Sequence, residues 1–265
     1  DSCISLGLNF FDTAEVYGQG LSETYIGQFL KKTNKPVKIA SKFMPYPWRL
    51  LRGSLTRALQ GSLKRLGINK LDLYQVHWPM PPISIETWMD AMSDVYQAGL
   101  IGAVGVSNYD RSQMLRAYDV LAREGISLAS NQVEYSLVNR KVEKNGLLKL
   151  CRERGIKLIA YSPLAQGALS GKYTVEHPMS GVRGRRYDRK FLEKLEPLIQ
   201  IMRQIGEVHD RRSPAQVAIN WVICKGALPI PGAKTVEQAE HNAGATGWRL
   251  TEEEIALLDE ASDKM

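Results

Sequence analysis

Seven short apolar runs alternate with longer amphipathic stretches along this chain. That alternation constrains its fold more than any other feature. The runs are LNFFD (8–12), VKIASKF (37–43), LDLYQVHW (71–78), IGAVGVS (101–107), LASNQVEY (128–135), KLIAYS (157–162) and ALPIPG (227–232). Their apolar, β-rich character suits strands buried on both faces, as in a parallel sheet. Between them, Leu51, Leu55, Leu59, Leu63 and Leu66 recur at helical spacing, and Gly67 ends the pattern. Further helices are expected at Ser22–Lys32 with Ser22 as cap, Ile85–Ala98, Arg111–Arg123, Val142–Arg154, Phe191–His209, Pro214–Lys225, Thr235–Ala243 and Thr251–Asp263. Ser213 before Pro214 suits a helix start. Thr251-Glu252-Glu253-Glu254 is a capping-box sequence. Strict βα alternation over roughly 220 residues implies a doubly wound sheet or a (β/α)8 barrel. Residues 1–265 read as one such domain. The first segment, residues 1–7, reads as the end of a helix, so a barrel's first strand and most of its first helix are expected to be missing upstream.

Composition narrows the function classes. The 265 residues are 44% hydrophobic and 24% charged, enough for a large core in a globular chain. No apolar run approaches the roughly 18 residues of a membrane span. Cys3, Cys151 and Cys224 are far apart, and the four histidines do not cluster. No metal site is expected, and free thiols in a reducing compartment are. The net charge of +7 suits nucleic acid or a phosphorylated cofactor. The densest basic stretch, Arg183–Lys190 (RGRRYDRK), reads as a loop with one Tyr and no stacking platform. It is either a solvated loop or one that folds over cofactor phosphates; neither nucleic acid nor a protein partner is expected.

Four residues lie at or just past the C-terminal ends of the first three runs: Asp12, Tyr17, Lys42 and His77. In a β/α barrel that rim is where active sites are built. A Tyr, a Lys, a carboxylate and a His meeting there form a proton-donor system. Each has an ordinary alternative on its own, as a turn cap, loop residue, solvated strand end or polar core edge. Trp48, Trp78 and Tyr109 follow successive strands and either line an apolar substrate pocket or pack at the barrel edge.

A dinucleotide fold of the Rossmann type would show GxGxxG after its first strand. Gly18-Gln19-Gly20 follows a strand, but Glu23 stands where the third Gly belongs. A different signature lies at PIPGAKTVEQAEHN (229–242). Lys234 follows a Gly turn at a helix N-terminus, which favours a phosphate. Gln238 and Asn242 share a helix face nearby and suit an adenine edge. An ordinary αβ connection has the same local pattern.

With these residues in hand, the chain resembles the aldo-keto reductases. The motifs are DTAEVYG (12–18), SKF (41–43), HWP (77–79), GVSN (105–108), NQVEYS (131–136), YSPLAQGALSGKY (161–173) and PIPGAKTVEQAEHN (229–242). They cover nearly the whole chain, and it looks most like the plastid-type, pyridoxal reductase-like members of plants and algae. The resemblance implies a (β/α)8 barrel binding NADPH, with plastid stroma as location and the cytoplasm as the alternative. It implies Tyr17 as general acid, Lys42 as its charged neighbour, Asp12 paired with Lys42, and His77 orienting the carbonyl. It implies Ser107, Asn108 and Gln132 on the nicotinamide carboxamide, with Tyr161 stacked on that ring. Ser162, Pro163, Leu164, Ala165, Gln166 and Lys172 would line the pyrophosphate path. Gly232, Lys234, Gln238 and Asn242 would hold the adenosine 2′-phosphate and adenine.

The expected reaction is NADPH-dependent reduction of a small carbonyl substrate, pyridoxal-like aldehydes included. Charge develops on the carbonyl oxygen as hydride arrives, so a donor must meet it. Lys42 is expected to lower the Tyr17 pKa from about 10. The alternative is a cofactor-binding sensor or interaction module with little turnover, as in potassium channel β subunits. Those resemble this chain in DTAEVY and YSPLA-type motifs but lack the histidine of HWP. A metal-dependent hydrolase would need more ligands than Asp12 and His77.

Overall fold

The computed structural model describes residues 2–265. In chain order its elements are α1 (Ser2–Ser5), β1 (Phe10–Asp12), α2 (Leu21–Leu30), β2 (Lys38–Phe43), α3 (Gly53–Leu66), β3 (Leu73–Val76), α4 (Ile85–Gln97), β4 (Val104–Ser107), α5 (Arg111–Arg123) and β5 (Leu128–Glu134). Then come α6 (Lys141–Lys144), α7 (Leu147–Glu153), β6 (Lys157–Tyr161), a 3-10 segment at Ala165–Ser170, α8 (Gly181–Arg186), α9 (Arg189–Val208), α10 (Pro214–Cys224), β7 (Leu228–Ile230), α11 (Val236–Ala243) and α12 (Glu252–Asp263). The chain packs as two units, one of residues 3–133 and 146–158, the other of residues 134–145 and 159–265.

In the first unit the strands pair in parallel and in chain order from β1 to β5. Lys42 sits opposite Gln75, and Gln75 opposite Gly105. The helical side of the sheet holds an apolar layer. Leu55, Leu59 and Leu66 of α3 are fully buried, as are Met89, Ala91 and Met92 of α4. Phe43 meets Trp88 edge-on at 4.8 Å. Burying each of these Leu, Met or Phe side chains stabilises the fold by about 1.5–3 kcal/mol. Gly67 ends α3 in the left-handed conformation, as its position in the sequence implied.

Helix α2 lies so close to α3 that Gly27 has no room for a side chain. A Cβ there would fall 2.4 Å from the carbonyl oxygen of Arg65. Backbone cannot move aside as a flexible side chain can. Gly27→Ala should therefore destabilise the protein by about 1–3 kcal/mol, despite the better helix propensity of Ala. Urea denaturation of the two proteins measures it.

In the second unit β6 pairs with β7 in parallel, with Tyr161 opposite Ile230. Helix α9 buries Leu192, Leu195, Leu198, Ile199 and Met202, and α10 buries Val217, Ala218 and Trp221. Asn220 is fully buried and satisfied: its Nδ2 donates to the carbonyls of Ala245 and Trp248, and its Oδ1 accepts from Leu250 N. The last helix is fixed by charge. Asp259 accepts from Trp221 Nε1 at 2.9 Å and from Lys225 Nζ at 2.8 Å.

Three local expectations fail for identifiable reasons. Ser22 does not cap α2. Gly20, left-handed at φ 90°, holds that place, and the Ser22 hydroxyl faces Thr13. The stretch Val142–Arg154 is two helices, because Gly146 turns left-handed at φ 75° between them. The basic stretch Arg183–Lys190 is not one loop. It ends α8, whose last turn carries Arg183, Arg185 and Arg186, and it opens α9 behind the cap Asp188. Cationic residues suit a helix C-terminus.

Candidate active site

Four side chains from three strand ends and one loop meet in the first unit. Side chains alternate across a strand, so Lys42 and Gln75 at paired positions share a face. Lys42 is fully buried. Its ammonium has three partners: it donates to Asp12 Oδ2, to Thr13 O at 2.8 Å and towards the Tyr17 hydroxyl at 3.5 Å. The Lys42 ammonium also lies 5.0 Å from the Tyr17 ring centroid. His77 meets that ring edge-on at 5.9 Å. The four residues read from the sequence are thus brought together.

Asp12 is held from its other side as well. Its Oδ1 accepts from Gln132 Nε2 at 2.8 Å and from Gln75 Nε2 at 3.4 Å. Two amides on one oxygen and an ammonium on the other leave little freedom. Gln75 was not singled out in the sequence. Its signal was an amide inside the apolar run LDLYQVHW, two residues before His77 and so on the same face. Gly105 makes room for it, since a Cβ there would fall 2.9 Å from Gln75 Cγ and 2.5 Å from Ser130 Oγ.

Electrostatics set the protonation states. Burial lowers the Lys42 pKa, and Asp12 partly offsets that. Burial first, then the Asp12 charge, pushes Tyr17 up to about 12. This differs from the expectation that Lys42 would lower it. Asp12 pairs with the ammonium and repels a phenolate as well, and the site is partly dry. Burial, then Lys42, lowers His77 to about 4. Its Nδ1 is buried with no hydrogen-bond partner among the described residues. The site at neutral pH therefore holds a neutral phenol and a neutral imidazole beside a buried ion pair.

Ser107 and Asn108 lie at the end of β4 beside this group. Ser107 Oγ donates to Gln132 O at 2.9 Å, and Asn108 Nδ2 donates to His77 O at 3.1 Å. Asn108 is left-handed at φ 62°, a strained backbone that cross-strand bonds hold in place. Gln132 points its amide at Asp12. Trp78 is 42% exposed, whereas Tyr109 is 1% exposed, its hydroxyl buried without a hydrogen-bond partner among the described residues. Tyr109 is thus packed in the core. Trp48 stacks on Tyr46 at 4.5 Å and borders a groove of about 420 Å³ with Glu15, Arg49, Arg57 and Arg65. None of the four tetrad residues lines that groove.

The remaining cofactor candidates lie in the second unit. Tyr161, half-buried, ends β6. Beyond it Ser162, Ala165 and Gln166 are left-handed at φ 51°, 48° and 55°. Such strain clusters at ligand sites. Pro163 and Leu164 complete the turn, which closes through Ala165 N to Ser162 O at 2.9 Å. Arg183 of the basic stretch reaches the Gln166 carbonyl at 3.4 Å. Lys172 helps, after burial, to lower the His241 pKa, which places the two near each other. In the loop before α11, Lys234 N donates to Gln238 Oε1 at 2.7 Å and Asn242 Nδ2 donates to Gly232 O at 3.4 Å. Gly232 borders open space: a Cβ there would meet nothing within 4 Å. The free space and exposed cations fit a phosphorylated ligand.

Known proteins carry the same arrangement of chain. Residues 1–263 match the model of the aldo/keto reductase family. The chain is 40% identical to the chloroplastic pyridoxal reductase of Arabidopsis thaliana over 269 residues, covering 97% of this chain and 73% of that protein. Among solved structures, a glycerol dehydrogenase from Gluconobacter oxydans superposes with a TM-score of 0.88 at 26% identity, covering 98% of this chain and 82% of the other. An aldo-keto reductase from Klebsiella pneumoniae, crystallised with NADPH, gives 0.78 at 32% identity, covering 98% and 81%. The fold is that family's (β/α)8 barrel, of which the described residues supply seven strands. With its tetrad assembled and the match running nearly end to end, the chain belongs to the aldo/keto reductase family.

Proposed function

We propose that this protein is an NADPH-dependent carbonyl reductase that converts a small aldehyde or ketone to the alcohol, with Tyr17 as the proton donor. The observation that carries the reading is the Tyr17 hydroxyl 3.5 Å from a buried, Asp12-paired Lys42, with His77 against the same ring. The nicotinamide, when bound, supplies the hydride to the carbonyl carbon. Negative charge then develops on the carbonyl oxygen, and preorganised donors that meet it lower the barrier. Tyr17 gives its proton to that oxygen, which completes the alcohol. Lys42 stabilises the phenolate left behind, and Asp12 keeps the ammonium charged and in place. Neutral His77 offers an N–H to the same oxygen. General acid catalysis of this kind contributes about 10²–10⁴-fold.

Ser107, Asn108 and Gln132 are proposed to orient the carboxamide of the cofactor, and Tyr161 to stack on its ring. Ser162, Pro163, Leu164, Ala165, Gln166 and Lys172 are proposed on the pyrophosphate, and Gly232, Lys234, Gln238 and Asn242 on the adenosine phosphate. Trp48 and Trp78 are proposed to contact substrate. The name of the Arabidopsis thaliana relative supports pyridoxal as the first aldehyde to try, and a plastid as the location.

The test is NADPH oxidation by the purified protein with pyridoxal and a panel of small aldehydes. Turnover supports the reductase; tight NADPH binding without turnover supports the sensor reading instead. The pH dependence of kcat/KM tests the role of His77, since it reports groups of the free enzyme. With His77 near 4, the imidazole stays neutral throughout the mildly acidic range. Reduction should hold level as pH falls through 6.5 and decline only towards about 4. A limb at an ordinary histidine pKa of about 6.5 would remove His77 from this role.

A further inference from the structure

The first turn of α2 grips both strand ends that carry the buried ion pair. Ser22 Oγ lies 2.8 Å from Thr13 Oγ1. Thr13 follows Asp12, and its carbonyl is one of the three acceptors around the Lys42 ammonium. The next residue, Glu23, is a fully buried carboxylate. Its Oε1 accepts from Ser41 Oγ at 2.5 Å, and its Oε2 accepts from Arg65 Nε at 2.7 Å. Ser41 is fully buried and immediately precedes Lys42. Buried carboxylates are rare and costly unless paired. Gly20 keeps this one paired: a Cβ there would fall 2.7 Å from Arg65 Cδ and Nε, blocking the path of the guanidinium to Glu23.

We propose that Ser22 and Glu23 are positioning residues for carbonyl reduction, holding Asp12 and Lys42 together through Thr13 and Ser41 and setting a second buried negative charge behind the ammonium. Strand β1 has only three residues, and its pairing with β2 spans only Phe10, Phe11 and Asp12. Past this short ladder the backbone after Asp12 is held by Thr13 N donating to Ala40 O at 2.9 Å. The Ser22–Thr13 contact supplies a further tie just beyond it. Ser41 ties the other strand to the same helix turn, so the two catalytic strand ends share one anchor. Glu23 also favours the protonated form of Lys42, in the same direction as Asp12. Arg65 balances Glu23, so removing the carboxylate alone leaves an uncompensated cation and disfavours the ammonium twice over.

The inference rests on the reductase reading, and its test is chosen to fail separately from it. The Lys42 titration is followed by NMR of ¹³C-lysine-labelled protein, without cofactor or substrate. In E23Q the Lys42 midpoint should move to lower pH by about 0.5 or more. In the double variant E23Q/R65Q it should move back towards the wild type. Separately, S22A should lower kcat about 10–100-fold with NADPH affinity retained, and S22T should restore it. An unchanged Lys42 midpoint in folded E23Q overturns the electrostatic role. Wild-type kcat in S22A overturns the positional one. Absence of turnover in the wild type overturns the reductase reading and leaves the Lys42 titration to decide Glu23.

Discussion

Tyr17→Phe should lower kcat for carbonyl reduction by about 10²–10⁴-fold while the protein still binds NADPH and keeps its thermal midpoint. The variant removes one oxygen and little else. The ring keeps its edge contact with His77 at 5.9 Å and its place 5.0 Å from the Lys42 ammonium. Among the described residues the hydroxyl meets Lys42 Nζ at 3.5 Å, and Lys42 retains Asp12 and Thr13 without it. Folding therefore depends little on that oxygen, and transition-state charge depends on it strongly. With the phenol pushed up to about 12, the wild type keeps its proton across the whole practical pH range. Stopped-flow NADPH oxidation, with cofactor binding followed by fluorescence, separates the two quantities. A kcat within threefold of wild type would take the acid role from Tyr17.

Asp12→Asn should have the largest effect on stability, a loss of about 3–5 kcal/mol near neutral pH. The Lys42 side chain is 0% exposed and Asp12 7% exposed, so the pair has no water to fall back on. Asn keeps the shape and can still face Gln75 and Gln132, but it leaves the ammonium without a counter-charge. Burial already lowers the Lys42 pKa in the folded protein, and loss of Asp12 lowers it further. The unfolded chain then holds more protons than the folded one between that lowered pKa and the ordinary 10.5. Stability must rise with pH across that window. The penalty of Asp12→Asn should accordingly shrink as the solution is made alkaline. Adding Lys42→Met to the variant should recover part of the loss, because the uncompensated charge goes with it. Urea denaturation at several pH values measures both effects; a penalty independent of pH would point to lost packing.

Much of the architecture was legible because it is local. The β-rich runs and the leucine spacing of α3 are properties of neighbouring residues. So are the cap at Ser213 and the capping box at Thr251 with Glu254, both present in the structure. The failures are local too. Gly146 splits an otherwise continuous helical pattern, and Gly20 takes the cap position that Ser22 suited by type. In each case a left-handed backbone, which hydrophobic spacing does not register, decided the outcome.

The site divides along the same line. By itself the sequence determined that Asp12, Tyr17, Lys42 and His77 stand at successive strand ends, because alternation places strand ends on one rim. Only the tertiary structure decided what those groups are chemically. Gln75 and Gln132 reach Asp12 across 63 and 120 residues of chain. Glu23 finds Arg65 across 42. The Tyr17 pKa rises where a Lys neighbour alone argued for a fall, since burial and the Asp12 charge act there together. Desolvation and charge act through space, so the chain had to fold before the protonation states of its catalytic groups were set.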